Sequence, residues 1–116
     1  MKRTQLRNLR TGSILADKVE KANSCWSRIT GLLSRTVVRP SEGLWFDRCS
    51  AIHTLGMRTE IDAIFLDDQN RVLGVRYSVP PHRLIVGHWK ARVVVELGPA
   101  ASKTRQVRIG DRLALE

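Results

Sequence analysis

Between Ile61 and Val79 the chain reads IDAIFLDDQNRVLGVRYSV, two apolar runs separated by four polar residues. Asp, Gln and Asn at the centre supply turn chemistry, so the segment predicts a β-hairpin with a longer loop. In the second arm, simple alternation sets Leu73, Val75, Tyr77 and Val79 on one face and Gly74, Arg76 and Ser78 on the other, as in a half-buried strand. The first arm is apolar on both faces, with Ile61, Ala63 and Phe65 opposing Asp62, Ile64 and Leu66. Such a run is expected in the interior of a sheet.

The remaining pattern adds further strands. ILADKVEKA (14–22), LWF (44–46), RLIVGHW (83–89) and RVVVEL (92–97) read as strands, with Leu44 and Phe46 on one face of theirs and Trp45 on the other. The prolines of VPPH end the hairpin's second arm, because neither can donate to a ladder. GPAASK (98–103) reads as a turn or short helix, and IGDRLALE as a turn leading to a last strand.

One segment changes period. In NSCWSRITGLLSR, Ser24 can cap a helix, and Trp26, Ile29, Leu32 and Leu33 recur at helical spacing, which predicts an α-helix over 24–34. Gly31 inside it costs about 1 kcal/mol relative to alanine and suits close approach of another backbone. Many short strands and one helix predict a mainly β fold, a compact antiparallel barrel or jelly-roll-like sandwich with the helix packed at one side. At 116 residues this is one domain, its first twelve residues a flexible basic N-terminus.

Asp62 stands out against that pattern. At the head of an interior strand its carboxylate is half inside the core, where burial without donors costs several kcal/mol. The candidate donors are the backbone N–H groups of the loop from Thr54 to Arg58 and the side chains of His53, Thr54 and Arg58. Arg28 and Arg35 lie two turns apart on the expected helix, and either could pair with a carboxylate bidentately. Asp62 is therefore expected to tie down the loop that precedes it. The same residues admit an acid–base pair in which Asp62 orients His53, but no ordered nucleophile signature accompanies them.

The charge widens the choice. A formal net charge of +9, from 20 basic and 11 acidic residues, attracts acidic partners. The basic residues are scattered, however, and none of the usual nucleic-acid motifs is present, so non-specific retention on polyanions is the expectation. No apolar stretch is long enough to span a bilayer, and the charged start is not followed by a leader-like segment. A cytoplasmic protein is expected, with Cys25 and Cys49 as free thiols.

Metal chemistry finds little support. Cys49 with His53, or His82 with His88, match no zinc spacing, and DDQN lacks the glycine and final glutamate of a calcium loop. No cofactor is expected. Trp26 reads as core, whereas Trp45 and Trp89 sit beside basic or glycine residues and could form a stacking surface.

Taken in order, RITGLLSR, EGLWF, IHTLGMRTEIDAIFLD, VELGPAA and IGD resemble DUF192, a family of small domains of unknown function, from about Ala22 to the end. The resemblance implies a compact barrel or jelly-roll-like domain and carries no activity with it. Arg28, Gly31, Leu32, Arg35, Gly43, His53, Thr54, Met57, Asp62, Phe65, Asp67, Glu96, Gly110 and Asp111 occupy matching positions. Among them Gly31, Gly43, Glu96, Gly110 and Asp111 are expected to be structural. Arg28, Arg35, His53, Thr54, Met57 and Asp62, with Arg58 beside them, are the candidate ligand-binding group. The expected function is a non-catalytic binding or accessory module for a small anionic ligand or a protein partner; the alternatives are an enzyme using His53 and Asp62, and non-specific nucleic-acid binding.

Overall fold

The computed structural model describes residues 4–22, 38–54, 57–83, 86–98 and 104–116. Nine strands lie among them: β1 (Thr4–Asn8), β2 (Ile14–Ala22), β3 (Glu42–Asp47), β4 (Ala51–Ile52), β5 (Ile61–Leu66), β6 (Val72–Val79), β7 (Val86–Gly87), β8 (Val93–Leu97) and β9 (Leu113–Leu115). Seven form one sheet in the order β6-β5-β8-β3-β2-β1-β9, and β4 pairs with β7 apart from it. Among the described residues no α-helix occurs; the helix expected over 24–34, with Arg28, Gly31, Leu32 and Arg35, lies outside them.

The sheet is mixed, which corrects the all-antiparallel expectation. β2 and β3 run parallel, from Lys18 beside Glu42 to Ala22 beside Phe46. The chain between them is long enough for the crossover that parallel neighbours need. The expected barrel is not closed either. The ladder begins at β6 and ends at β9, and these two edges meet only at one antiparallel bridge, Arg71 to Arg112. β9 is three residues long and β6 is bulged, so neither edge offers the regular ladder that closure requires.

Two apolar clusters explain why the interior strands are apolar on both faces. Leu6, Val19, Trp45, Ile64, Leu66, Val95, Leu97 and Leu113 gather on one side of the sheet. On the other, Leu44, Phe46, Ile61, Ala63, Phe65 and Val94 meet Ile52, Met57 and Val86 from the β4–β7 layer and its loops. All six residues of β5 are buried, as expected for a strand paired on both sides. Trp45 is 3% exposed and its indole N–H donates to Asp47 Oδ1 at 2.9 Å, so it belongs to the core and offers no stacking surface.

β1, within the basic N-terminal stretch, pairs with both β2 and β9, and its Leu6 is fully buried. A single buried leucine between polar neighbours is a weak strand signal, and the pairing partners on both sides supply the rest.

Cys49 departs from expectation as well. It is buried and disulfide-bonded, where a free thiol was expected. The sequence holds two cysteines, and the other, Cys25, lies outside the described residues. The expectation rested on compartment, whereas bond formation depends on how close the fold brings two Cβ atoms, which spacing along the chain does not reveal.

At one pole a buried polar network joins the chain ends. The Asp111 carboxylate accepts from Asn8 Nδ2 at 3.0 Å, Arg10 Nε at 2.7 Å and the Arg108 backbone N–H at 2.8 Å. Gly110, at φ 93°, supplies the left-handed residue of this turn, and its N–H reaches the Val72 carbonyl at 2.8 Å. Burial pushes the Asp111 carboxyl up, but Arg10, the Arg108 N–H and Asn8 outweigh it and hold the pKa at about 2. A carboxylate depressed in the folded state adds stability that is complete above its unfolded pKa, near 3.8, and is lost as pH falls toward 2. After a discount for the exposed Arg10 side chain, that stability is about 1–2 kcal/mol. Asp111→Asn is expected to be less stable than wild type by this amount at neutral pH, with the gap closing in acid titrations between pH 4 and 2; a gap independent of pH contradicts the assignment.

Candidate functional site

β6 pairs irregularly with β5. Ile61 pairs with Val79 but Ala63 pairs with Arg76, so β6 carries one residue more than β5 across that interval; a second extra residue falls between Val72 and Gly74. Each inserted residue switches the following side chains to the opposite face. Leu73 therefore packs against one cluster and Val75 against the other, and Val79 returns to the first. This overturns the single face expected for Leu73, Val75, Tyr77 and Val79.

The bulge at Tyr77–Ser78 is held by Asp62. Ser78 adopts φ 52°, and its N–H donates to Asp62 Oδ1 at 2.8 Å. Asp62 is fully buried at the head of β5, as expected, and the neighbouring strand supplies it with a donor in the Ser78 N–H. A bulge removes a backbone donor from the ladder, and a carboxylate at the facing position satisfies it. The Ser78 donor could not be read from the alternation pattern, because a bulge leaves no mark in it.

Thr54 ties the start of the loop to the turn after β6. Thr54 is 1% exposed; its hydroxyl donates to the Pro80 carbonyl at 2.8 Å and accepts from the Arg83 N–H at 2.8 Å. Its own N–H donates to the Arg83 carbonyl, and its carbonyl accepts from the His82 and Met57 N–H groups. One side chain thus fastens the loop to the turn that follows β6, where His82 sits at φ 67°. Thr54→Val keeps the shape but strands the Pro80 carbonyl and the Arg83 N–H. A loss of about 2 kcal/mol in denaturant unfolding is expected, with Thr54→Ser close to wild type.

Between the bulge and this turn lies a depression of about 200 Å³ lined by Arg76, Tyr77, Ser78, Val79, Pro80, Arg83 and Val86. Its described lining holds two arginines and no carboxylate. Tyr77 Oη donates to the Thr104 carbonyl at 3.3 Å, which steadies one wall. Asp62 and Thr54 stand behind it through Ser78 and Arg83.

The other sequence candidates fall in several places. Met57 is core, at 3% exposure, and Arg58 is exposed. His53 is half-buried, between the end of β4 and Thr54. Glu96 is fully buried on β8, in register with Leu44 and Ala63. Gly43 is a packing glycine, since a Cβ there would lie 2.8 Å from Leu97 Cδ2. Arg28 and Arg35 lie outside the described residues. Arg76 and Arg83 were missed as ligand candidates. Arg76 shared a face with Gly74 and Ser78 in the alternation, and Arg83 follows VPPH, but only the bulge and the Thr54 clamp bring them together. Among the described residues no group of three His, Cys, Asp or Glu could hold a metal ion.

The family profile DUF192, described as "Uncharacterized ACR", matches residues 7–115. The chain belongs to this family. Among curated proteins, none matches its sequence. Two solved structures share the DUF192 chain's fold. One, of a proposed transcription regulator from Sinorhizobium meliloti 1021, has a TM-score of 0.76 at 25% identity, over 97% of this chain and 92% of that one. The other, of a protein of unknown function from Novosphingobium aromaticivorans DSM 12444, has a TM-score of 0.75 at 18% identity, over 97% and 83%. Within this DUF192 chain, no described helix is long and apolar enough to cross a membrane.

Proposed function

We propose that this protein is a binding module for a small anion such as a phosphate or carboxylate, held in the depression beside the β6 bulge. The observation that carries the proposal is the lining: Arg76 and Arg83 face one recess of about 200 Å³ whose described walls contain no carboxylate. Guanidinium groups hold planar oxyanions through paired N–H bonds, and the +9 net charge favours the encounter. Asp62 and Thr54 act as positioning residues, since they fix Ser78 and Arg83.

Thermal unfolding in rising concentrations of phosphate and of succinate at constant ionic strength tests the proposal. Wild type is expected to gain several degrees, and Arg76→Gln and Arg83→Gln to lose most of that gain. Equal gains in all three proteins contradict it.

A further inference from the structure

The recess beside the bulge has an apolar side that its two arginines do not explain. Val79 and Val86 are part of its lining, and they are 4% and 3% exposed. Both belong to the apolar cluster between the main sheet and the β4–β7 layer, so the recess opens onto the edge of that core. Pro80 and Tyr77 add further carbon to the walls, and the Tyr77 hydroxyl is turned to the Thr104 carbonyl.

Polar groups on these walls are mostly spoken for. The Ser78 N–H is taken by Asp62, and the Pro80 carbonyl and Arg83 N–H are taken by the Thr54 hydroxyl. Among the side chains, two guanidinium groups and the Ser78 hydroxyl remain, and neither guanidinium is in an ion pair with a described residue. A sugar or nucleoside would bring several hydroxyl donors, and no carboxylate or amide side chain lines the described walls to accept them. At a liquid share of about 30 Å³ per water, about 200 Å³ is room for roughly seven waters. A bare phosphate or acetate seated on the arginines fills only part of that space and leaves the valines uncovered.

We propose, on the basis of the anion site described above, that its ligand is a monocarboxylate with a compact apolar body such as a single aromatic ring. The carboxylate lies on Arg76 and Arg83, and the ring lies against Tyr77, Val79 and Val86. Apolar walls with a few placed polar groups are the usual make-up of a small-molecule site, and the apolar area covered adds affinity that an inorganic anion cannot gain.

The test titrates benzoate, acetate, inorganic phosphate and benzyl alcohol separately into the isotope-labelled full chain at constant ionic strength, following amide and methyl resonances. Benzoate is expected to bind at least about tenfold more tightly than acetate or phosphate. Benzyl alcohol, which keeps the ring without the charge, is expected to bind more weakly than benzoate. The ring current of benzoate should shift the Val79 and Val86 methyl signals, which phosphate leaves nearly unmoved. Tyr77→Ala is expected to weaken benzoate at least about threefold and to leave phosphate unchanged, whereas Tyr77→Phe, which loses only the bond to Thr104, binds benzoate as wild type does. Should Tyr77→Ala fail to fold, the wild-type series decides alone. Equal affinity for benzoate, acetate and phosphate, each lost in Arg83→Gln, overturns this inference and leaves the anion site standing. Benzoate binding that survives Arg83→Gln, or that shifts methyl groups elsewhere, overturns it as well. Absence of saturable binding by all three anions removes both the inference and the site.

Discussion

Asp62→Ala is expected to lower the unfolding free energy by about 3 kcal/mol and to loosen β6 locally. The carboxylate is fully buried and accepts the Ser78 N–H, which the bulge has removed from the β5–β6 ladder. Truncation leaves that donor unpaired and opens a space between strands. Asp62→Asn keeps an oxygen in the same place and is expected to recover part of the loss. Hydrogen exchange separates this account from general destabilisation: the Ser78 and Val79 amides should lose protection before those of β3 and β8 do. A uniform loss across the sheet contradicts the bulge assignment.

Gly98→Ala is expected to cost at least as much, through sterics alone. The end of β8 passes so close to the segment before β3 that a Cβ at Gly98 would overlap the Arg39 carbonyl and lie 2.6 Å from Pro40 N. These are backbone atoms, so one chain must move to admit a methyl group, and the Gly98 N–H to Glu42 carbonyl bond at 3.3 Å moves with it. Overpacking of this kind costs about 3 kcal/mol. Gly110→Ala makes a useful control, because a Cβ there meets nothing within 4 Å and only the positive φ is strained. Urea unfolding of the two variants should show the larger midpoint shift for Gly98→Ala.

The strands that carry the strongest alternation were legible from the residues. β5, β6, β8 and β9 fall within the segments their patterns predict, β3 extends the expected 44–46 on both sides to 42–47, and the faces of Leu44, Phe46 and Trp45 are as read. β4 is two residues long and escaped notice, and β7 spans only Val86–Gly87 within the longer expected run. β1 went unread because one buried leucine does not make a pattern. Strand direction was beyond local reading altogether, since nothing in β2 or β3 states that they pair in parallel.

The site shows the same limit more sharply. Burial of Asp62 was readable from its place at the head of an interior strand, but its Ser78 donor was not, nor were the burial and partners of Thr54. Asp62 meets Ser78 and Thr54 meets Pro80 and Arg83 only because an extra residue in β6 shifts the register. That shift turns Arg76 toward the face shared with Ala63, beside the turn that carries Arg83. The recess beside the bulge is thus a product of irregularity in an edge strand, where bulges are tolerated and often shape binding surfaces.

The most direct check is a ¹⁵N–¹H correlation spectrum of the full chain titrated with phosphate at fixed ionic strength. Saturable shifts concentrated at the amides of Arg76, Tyr77, Ser78 and Arg83, and weakened in Arg83→Gln, are the expected result. Shifts that never saturate, or that spread evenly over the arginine-bearing surface, would contradict an anion site at the bulge.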